Sequence, residues 1–130
     1  MTLIRSSILS PAPYAYAATA PADARLIFLA GSCPLDEAGA TVGKGDYAVQ
    51  ARQCLGNMKT ALDEAGAALE DVISTRVLVA STDRADLVRA WEIVRQAFGA
   101  NDVPSTLLGV TVLGYEGQLV EIEAVAAVRG

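Results

Sequence analysis

The segment that ends this chain, residues 119–128, combines a strongly apolar composition with two carboxylates, Glu121 and Glu123. Side chains alternate between the two faces of a β-strand, so both glutamates should lie on one face of a strand. A buried carboxylate loses its hydration and rarely sits in apolar surroundings without a partner. This face must therefore border either solvent or a wet cleft. The residues alone favour solvent, because most carboxylates are exposed.

Hydrophobic periodicity divides the rest of the chain into strands and helices. Strands are predicted over residues 26–30, 72–79 and 103–112, and the first of these is predicted to be a short buried strand. One helix is predicted from Asp46 to about residue 65. A second helix is predicted to follow the capping candidates Ser81, Thr82 and Asp83 and to end at Gly99. The last two strands flank a glycine-containing turn and should form an antiparallel hairpin. This order predicts one α+β domain over residues 1–130, a sandwich with a sheet on one side and two helices packed on it.

Composition narrows the function classes. The chain of 130 residues is 52% apolar, carries a net charge of −5, and spreads its ten lysines and arginines along its length. Nucleic-acid binding requires a clustered basic surface, which this pattern does not provide. No apolar run approaches the roughly 20 residues of a membrane span, and we find no signal-peptide pattern. We therefore expect a cytoplasmic protein with neither nucleic acid nor membrane among its partners.

The absence of histidine restricts the chemistry further. It removes Ser-His-Asp and Cys-His catalysis, together with every histidine-based metal site. The two cysteines, Cys33 and Cys54, match no metal-ligand spacing, and a reduced pair is expected rather than a disulfide. We therefore expect no metal. A catalytic Cys33 thiolate would need a nearby lysine or arginine to stabilise it.

A few other residues could carry chemistry, and each also has a structural interpretation. Ser32 and Cys33 follow a strand in "AGSCPLD", where backbone N–H groups could face a ligand, although a plain turn explains them too. Tyr14 could position a substrate or anchor an edge strand. Trp91 lies on the apolar stripe of the second helix, which favours packing over substrate stacking. Thr106 alone is an ordinary strand residue.

Four segments, taken in order and at their spacing, resemble the reactive-intermediate deaminase family, RidA or YjgF. They are "AGSCPLD", "QARQCLGNMKTALDEAG", "LEDVISTRVLVA" and "VEIEAVA". The resemblance implies a chorismate mutase-like sandwich, in which two helices cover one face of a mostly antiparallel sheet. It further implies assembly as a homotrimer, with small-molecule clefts between subunits. It also implies a cofactor-free hydrolysis of 2-imino acids, or their enamine tautomers, to 2-keto acids and ammonia.

The resemblance also assigns cleft positions. Tyr14 matches the family's tyrosine after a proline, Gly31 its glycine after the apolar strand, and Glu121 the glutamate near the attacking water. Glu121 and Tyr14 are therefore the catalytic candidates, and a cleft becomes the better interpretation of the Glu121 face. The substrate-binding candidates are Gly31, Ser32, Cys33, Trp91, Thr106 and Leu108.

Thr106 stands where the family keeps its carboxylate-binding arginine, and Leu108 where it often has a cysteine. Losing a charged partner in a partly desolvated cleft costs on the order of 2–5 kcal/mol. We therefore expect either a hydrolase for an imine or enamine other than the usual 2-imino acids, or a non-catalytic trimer that binds a small metabolite or regulates a partner. Arg76 or Arg89 could supply the missing charge from elsewhere in the fold.

Overall fold

A computed structural model describes residues 1–129 of the chain. In chain order the elements are β1 (Thr2–Ile4), β2 (Ala17–Thr19), β3 (Arg25–Phe28), α1 (Tyr47–Glu64), a 3₁₀ turn (Leu69–Asp71), β4 (Val72–Ala80), α2 (Arg84–Phe98), β5 (Ser105–Val110) and β6 (Val120–Val128). The main sheet has the strand order β3-β6-β4-β5, and β1 pairs with β2 in a separate hairpin. Both helices pack on one face of the main sheet. The predicted α+β sandwich is therefore confirmed.

The two helices begin and end where local signals predict. The Asp46 carboxylate accepts a hydrogen bond from the Val49 N–H at the start of α1, and Asp83 does the same for the Ala85 N–H at the start of α2. Such caps satisfy backbone donors that have no partner inside the helix. Gly99 adopts a positive φ of 56° and ends α2.

The predicted hairpin between the last two strands is wrong. β5 pairs with β4 in parallel, and β6 pairs with β4 antiparallel, so β4 lies between them. Residues 111–119 separate β5 from β6, which is longer than the roughly two to five residues of a tight hairpin loop. The glycines in this segment therefore belong to a crossing loop that carries the chain over the end of β4.

The prediction of a buried strand over residues 26–30 also needs correction. β3 is an edge strand that pairs only with β6 within the main sheet. Ile27 faces the helices and is buried, whereas Leu26 is 51% exposed and Phe28 is 73% exposed. An apolar run alone does not distinguish a strand buried on both faces from an edge strand with one covered face.

The two faces of the sheet differ sharply in composition. Beneath the helices the β6 residues Val120, Ile122, Ala124 and Ala126 are all buried. The open face is the side away from the helices, and Glu121 and Glu123 lie there together, as their spacing predicts. The open face also carries Leu26, Phe28, Arg76, Leu78, Thr106 and Leu108. Neither helix within residues 1–129 is long and apolar enough to span a membrane.

Candidate functional site

The Glu121 carboxylate lies directly against the backbone of Gly31. A Cβ atom added to Gly31 would overlap Oε2 of Glu121 and would lie 2.7 Å from the Cδ of the same glutamate. Gly31 has no positive φ, so its backbone does not itself demand glycine. The absence of a side chain is what allows the carboxylate to approach this closely.

The other carboxylate oxygen of Glu121 receives two hydrogen-bond donors. The Gln118 side-chain amide donates to Oε1 at 3.1 Å, and the Cys33 thiol approaches the same atom at 3.4 Å. Gln118 is itself buried, and its amide also donates to the Val120 carbonyl. Donors on one oxygen fix the orientation of the carboxylate and leave Oε2 as the oxygen without a donor among residues 1–129. Gly31, Cys33, Gln118 and Glu121 are called the Glu121 cluster below.

Cys33 acts in this cluster as a neutral thiol. Burial first, and then the hydrogen bond to the Glu121 carboxylate, raises the pKa of Cys33 to about 11, from an ordinary 9.0. Cys33 thus lies beside an acidic side chain, whereas a reactive thiolate needs a nearby cation. The geometry makes Cys33 a hydrogen-bond donor to Glu121 rather than a nucleophile.

The loop that carries Cys33 is held to both layers of the fold. Ser32 exchanges two backbone hydrogen bonds with Ile122, of 2.8 and 3.0 Å. From α1, the Asn57 amide donates to the carbonyls of Cys33 and Leu35, at 2.8 and 2.9 Å. Ser32 thus contributes through its backbone, and the thiol of Cys33 is aimed at β6 by a rigid loop.

A second group of candidates lines a cavity at the β5 edge of the sheet. This Tyr14 cavity has a volume of about 420 Å³ and is lined by Tyr14, Trp91, Ser105, Thr106 and Leu107. The rings of Tyr14 and Trp91 meet edge to face with their centroids 6.4 Å apart. Trp91 packs against the core, as its place on the apolar stripe predicts, and it also borders the cavity.

Strand register explains how Thr106 and Leu108 relate to the two glutamates. One row across the open face joins Leu108, Leu78 and Glu121, and the next joins Thr106, Arg76 and Glu123. Arg76 forms an ion pair with Glu123, with Nη1 and Oε1 3.1 Å apart. Arg76 therefore lies beside Thr106, on the neighbouring strand.

Arg89 does not share this position. It lies on α2 and pairs with Asp86, with Nη1 and Oδ1 3.1 Å apart. Of the two arginines considered as replacements for the missing charge, only Arg76 lies on the open face beside Thr106.

The structure thus brings the predicted residues into two separate groups. Gly31 and Cys33 contact Glu121, whereas Tyr14, Trp91 and Thr106 share a cavity that Glu121 does not line. Strand β4 stands between the strands that carry Glu121 and Thr106. One chain by itself therefore supplies two parts of a site rather than one enclosed pocket.

Two residues of this surface were missed by sequence reasoning. Gln118 lies in "LGYEGQ", the glycine-containing segment that predicts only a turn, yet its side chain folds back and donates to Glu121. Its one sequence signal is its position three residues before Glu121. Glu123 had no assigned role, and its pairing with Arg76 depends on strand register, which periodicity within one strand does not reveal.

Comparison with known proteins agrees with this architecture. A family model described as Endoribonuclease L-PSP matches residues 5–128. A RutC family protein of Pyrococcus horikoshii is 35% identical over 114 residues, covering 88% of this chain and 86% of that protein. The human 2-iminobutanoate/2-iminopropanoate deaminase is 33% identical over 102 residues, covering 78% of this chain and 72% of that protein.

Solved structures with the same fold cover almost the whole chain. A protein of unknown function of the conserved Rid protein family from Yersinia pestis superposes with a TM-score of 0.87 at 29% identity, covering 98% of each chain. A Mycobacterium tuberculosis member of the YjgF/YER057c/UK114 family superposes with a TM-score of 0.68 at 32% identity, again covering 98% of each.

Proposed function

Because this chain belongs to the Endoribonuclease L-PSP family, which includes the RidA/YjgF proteins, we propose that it hydrolyses an imine or enamine to a carbonyl compound and ammonia. The support from a relative is the similarity to the human 2-iminobutanoate/2-iminopropanoate deaminase. The support from the chain itself is the Glu121 cluster, which presents an oriented carboxylate at a partly exposed position on the sheet.

The cluster suits a water-activating role. Glu121 Oε2 accepts a proton from water while the water oxygen bonds to the carbon of a protonated imine, and the C=N π pair moves to nitrogen. The resulting carbinolamine takes the proton from Glu121 onto its nitrogen. The C–N electron pair then leaves with nitrogen as ammonia while the hydroxyl oxygen forms C=O, and the hydroxyl proton passes through Glu121 to the ammonia. The sum is iminium plus water giving carbonyl plus ammonium, and the residues assigned to it call for no cofactor.

Cys33 and Gln118 would orient Glu121 for this step. Both donors reach Oε1, so the proton-accepting role falls to Oε2, beside Gly31. Fixing a general base in one rotamer aligns it with the reacting atoms before the reaction begins. The neutral thiol serves this purpose better than a thiolate, which would repel the carboxylate.

We propose a homotrimer in which the Glu121 cluster of one subunit faces the Tyr14 cavity of the next. Two observations support an assembly through the open face. Leu26 and Phe28 expose a large apolar area there. The two groups of candidate residues also remain apart in one chain. Tyr14 would then hold the substrate while Glu121 activates the attacking water, inside a cleft that excludes bulk water.

We also propose a cytoplasmic location, which cell fractionation would test.

We propose that the substrate is not a usual small 2-imino acid. Thr106 offers one hydroxyl where a guanidinium would bind a carboxylate in two places. Arg76 lies beside it but is paired with Glu123, which competes with a substrate carboxylate for the guanidinium. The same observation favours the second candidate function, a trimer that binds a small metabolite without turning it over.

Hydrolysis of imines made in situ by an amino-acid oxidase tests the proposal. The purified protein should accelerate loss of at least one imine over buffer, and Glu121→Gln should lower that rate by roughly 10²–10⁴-fold. Glu64→Gln, on the exposed side of α1, is the matched control and should keep the parent rate. Activity that survives Glu121→Gln would refute the role of this carboxylate.

The choice of imines separates the two candidate functions. Rapid hydrolysis of iminopropanoate would refute the proposal that Thr106 excludes ordinary 2-imino acids. Failure across a panel of small, aromatic and neutral imines would favour the binding protein. A monomeric mass in sedimentation would remove the inter-subunit cleft from both.

A further inference from the structure

The Tyr14 cavity continues into a second cavity of different character. The second cavity has a volume of about 350 Å³ and shares Tyr14, Ser105 and Thr106 with the first. Its far side is lined by Ser74, Thr75 and Arg76. The two cavities therefore adjoin at Tyr14 and Thr106, and together they are called the groove below.

The two ends of this groove differ in chemistry. At one end the indole of Trp91 and the side chain of Leu107 provide an apolar wall, against which the Tyr14 ring packs edge to face. Such walls favour planar, apolar groups. At the other end stands the guanidinium of Arg76, which is half-exposed. A guanidinium favours carboxylates and other planar anions.

We propose that this groove binds a carboxylate that carries an aromatic ring or a similarly bulky apolar group. The ring would lie against Trp91, and the carboxylate would reach Arg76 past Thr106. This proposal rests on the proposed function in one respect, namely that the bound ligand is the substrate. The groove would then select aryl-substituted 2-imino acids over small aliphatic ones.

The spacing of the sheet suits such a ligand. Arg76 and Thr106 are register partners on adjacent strands, which lie about 4.8 Å apart. Trp91 lines the cavity on one side of Thr106, and Arg76 lines the cavity on the other side. A carboxylate held at Arg76 therefore has to extend past Thr106 to reach the indole, which favours a carboxylate with a long apolar group over propanoate.

The charges around Arg76 define what the anion must compete with. Glu123 contacts Nη1 of the Arg76 guanidinium from β6, at 3.1 Å. A guanidinium carries five N–H donors, so one carboxylate contact does not use all of them. The other residues that line this cavity from β5 and from the segment before β2 are Thr106, Ser105, Tyr14 and Tyr16, none of which is a carboxylate or a cation. Among the described residues 1–129, Glu123 is the acidic side chain paired with Arg76, and removing it should strengthen anion binding.

Fluorescence titration tests the inference directly, since Trp91 is the only tryptophan of the chain. The full-length protein would be titrated with 3-phenylpropanoate, propanoate and 3-phenylpropanamide. We expect 3-phenylpropanoate to quench the indole, with the other two binding roughly tenfold or more weakly because each lacks one of the two groups. Equal binding of propanoate would refute the aromatic subsite. Equal binding of the amide would refute the anion subsite.

Paired variants at the ion pair strengthen the test because they move affinity in opposite directions. Arg76→Gln should weaken 3-phenylpropanoate roughly ten- to hundredfold, as expected for a lost charged hydrogen bond. Glu123→Gln should tighten it, and misfolding cannot produce that gain. Arg89→Gln, on α2, is the matched control and should leave binding unchanged. Unchanged binding in Arg76→Gln would overturn the inference.

These outcomes separate the inference from the proposed function. Binding of 3-phenylpropanoate that obeys the Arg76 and Glu123 pattern supports the groove even if every imine fails to react. Imine hydrolysis that depends on Glu121 but shows no preference for aryl-substituted substrates would overturn the inference and leave the function standing.

Discussion

The two faces of the main sheet carry different kinds of information. Beneath the helices, β6 presents only apolar side chains, and Ile122 and Ala126 are completely buried. On the open face the same strand presents Glu121 and Glu123, each held by different partners from other elements. The covered face is specified by hydrophobic burial, which any apolar side chain of suitable shape satisfies. The open face is specified by individual contacts, and the candidate chemistry lies there.

The largest effect on stability is expected on the covered face. Ile122→Ala should lower the free energy of unfolding by roughly 2–5 kcal/mol, because it removes apolar contacts and leaves a cavity. Val125→Ala, on the open face of the same strand, should cost less than about 1 kcal/mol. Urea unfolding of both variants measures the difference. A cost at Val125 as large as that at Ile122 would show that the open face is buried just as deeply in the assembly.

Gly31→Ala should separate function from stability. The backbone of Gly31 tolerates alanine, but the new Cβ would displace the Glu121 carboxylate. We expect imine hydrolysis to fall roughly 10- to 100-fold, since misplacing a reacting group by about 1 Å has that effect, with little change in unfolding.

Gly56→Ala is the control for this substitution. Gly56 lies on the exposed side of α1 with open space around it, so alanine should raise the free energy of unfolding by roughly 0.5–1 kcal/mol and leave hydrolysis unchanged. A fully active Gly31→Ala variant would show that Glu121 does not need its present position.

Phe28→Ser tests whether another subunit covers the open face. The Phe28 ring is 73% exposed in one chain, so its loss should barely affect the fold itself. If the ring is buried between subunits, each subunit should lose roughly 1.5–3 kcal/mol of association energy. Sedimentation at decreasing concentration should then show dissociation that the parent does not. Val88→Ser, on the outer side of α2, is the control and should leave the mass of the assembly unchanged. If Val88→Ser dissociated as much as Phe28→Ser, the interface would run through the helices instead.

The contrast between the faces also explains what sequence reasoning achieved. Asp46, Asp83 and Gly99 mark helix ends through local hydrogen bonds and backbone geometry, so their neighbours in sequence suffice to predict them. The shared face of Glu121 and Glu123 follows from the period of a strand. The position of β4 between β5 and β6 depends on pairing between distant segments, and local turn signals led to a hairpin instead.

The candidate site shows the same division. The family resemblance selected Gly31 and Glu121 as functional positions, and the structure shows that they are in contact. The donors Gln118 and Cys33 and the pairing of Arg76 with Glu123 arise where a loop or a neighbouring strand brings distant residues together. Their roles follow from the three-dimensional fold, because no spacing within a single segment encodes them.

The smallest expected effect is on the titration of Cys33. Burial and the Glu121 carboxylate raise its pKa to about 11, so thiolate absorbance should appear well above the ordinary 9.0. Glu121→Gln should lower this midpoint only in part, because burial is the larger cause. Glu123→Gln, on the same face but paired with Arg76, should leave it in place. The buried Cys54 has its pKa raised further still and titrates later.

The same shift makes a prediction for stability against pH. The unfolded chain releases the Cys33 proton near pH 9 and the folded chain near pH 11, so the stabilisation is complete below about pH 9 and is lost as the pH rises towards 11. Other groups also titrate in this range, and the Cys33 contribution is therefore the part of the decline that disappears in Cys33→Ala. A Cys33 thiol that titrates near pH 9 in the folded parent protein would show that it does not face the Glu121 carboxylate. The second donor to Oε1, beside Gln118, would then have to be sought elsewhere on the open face.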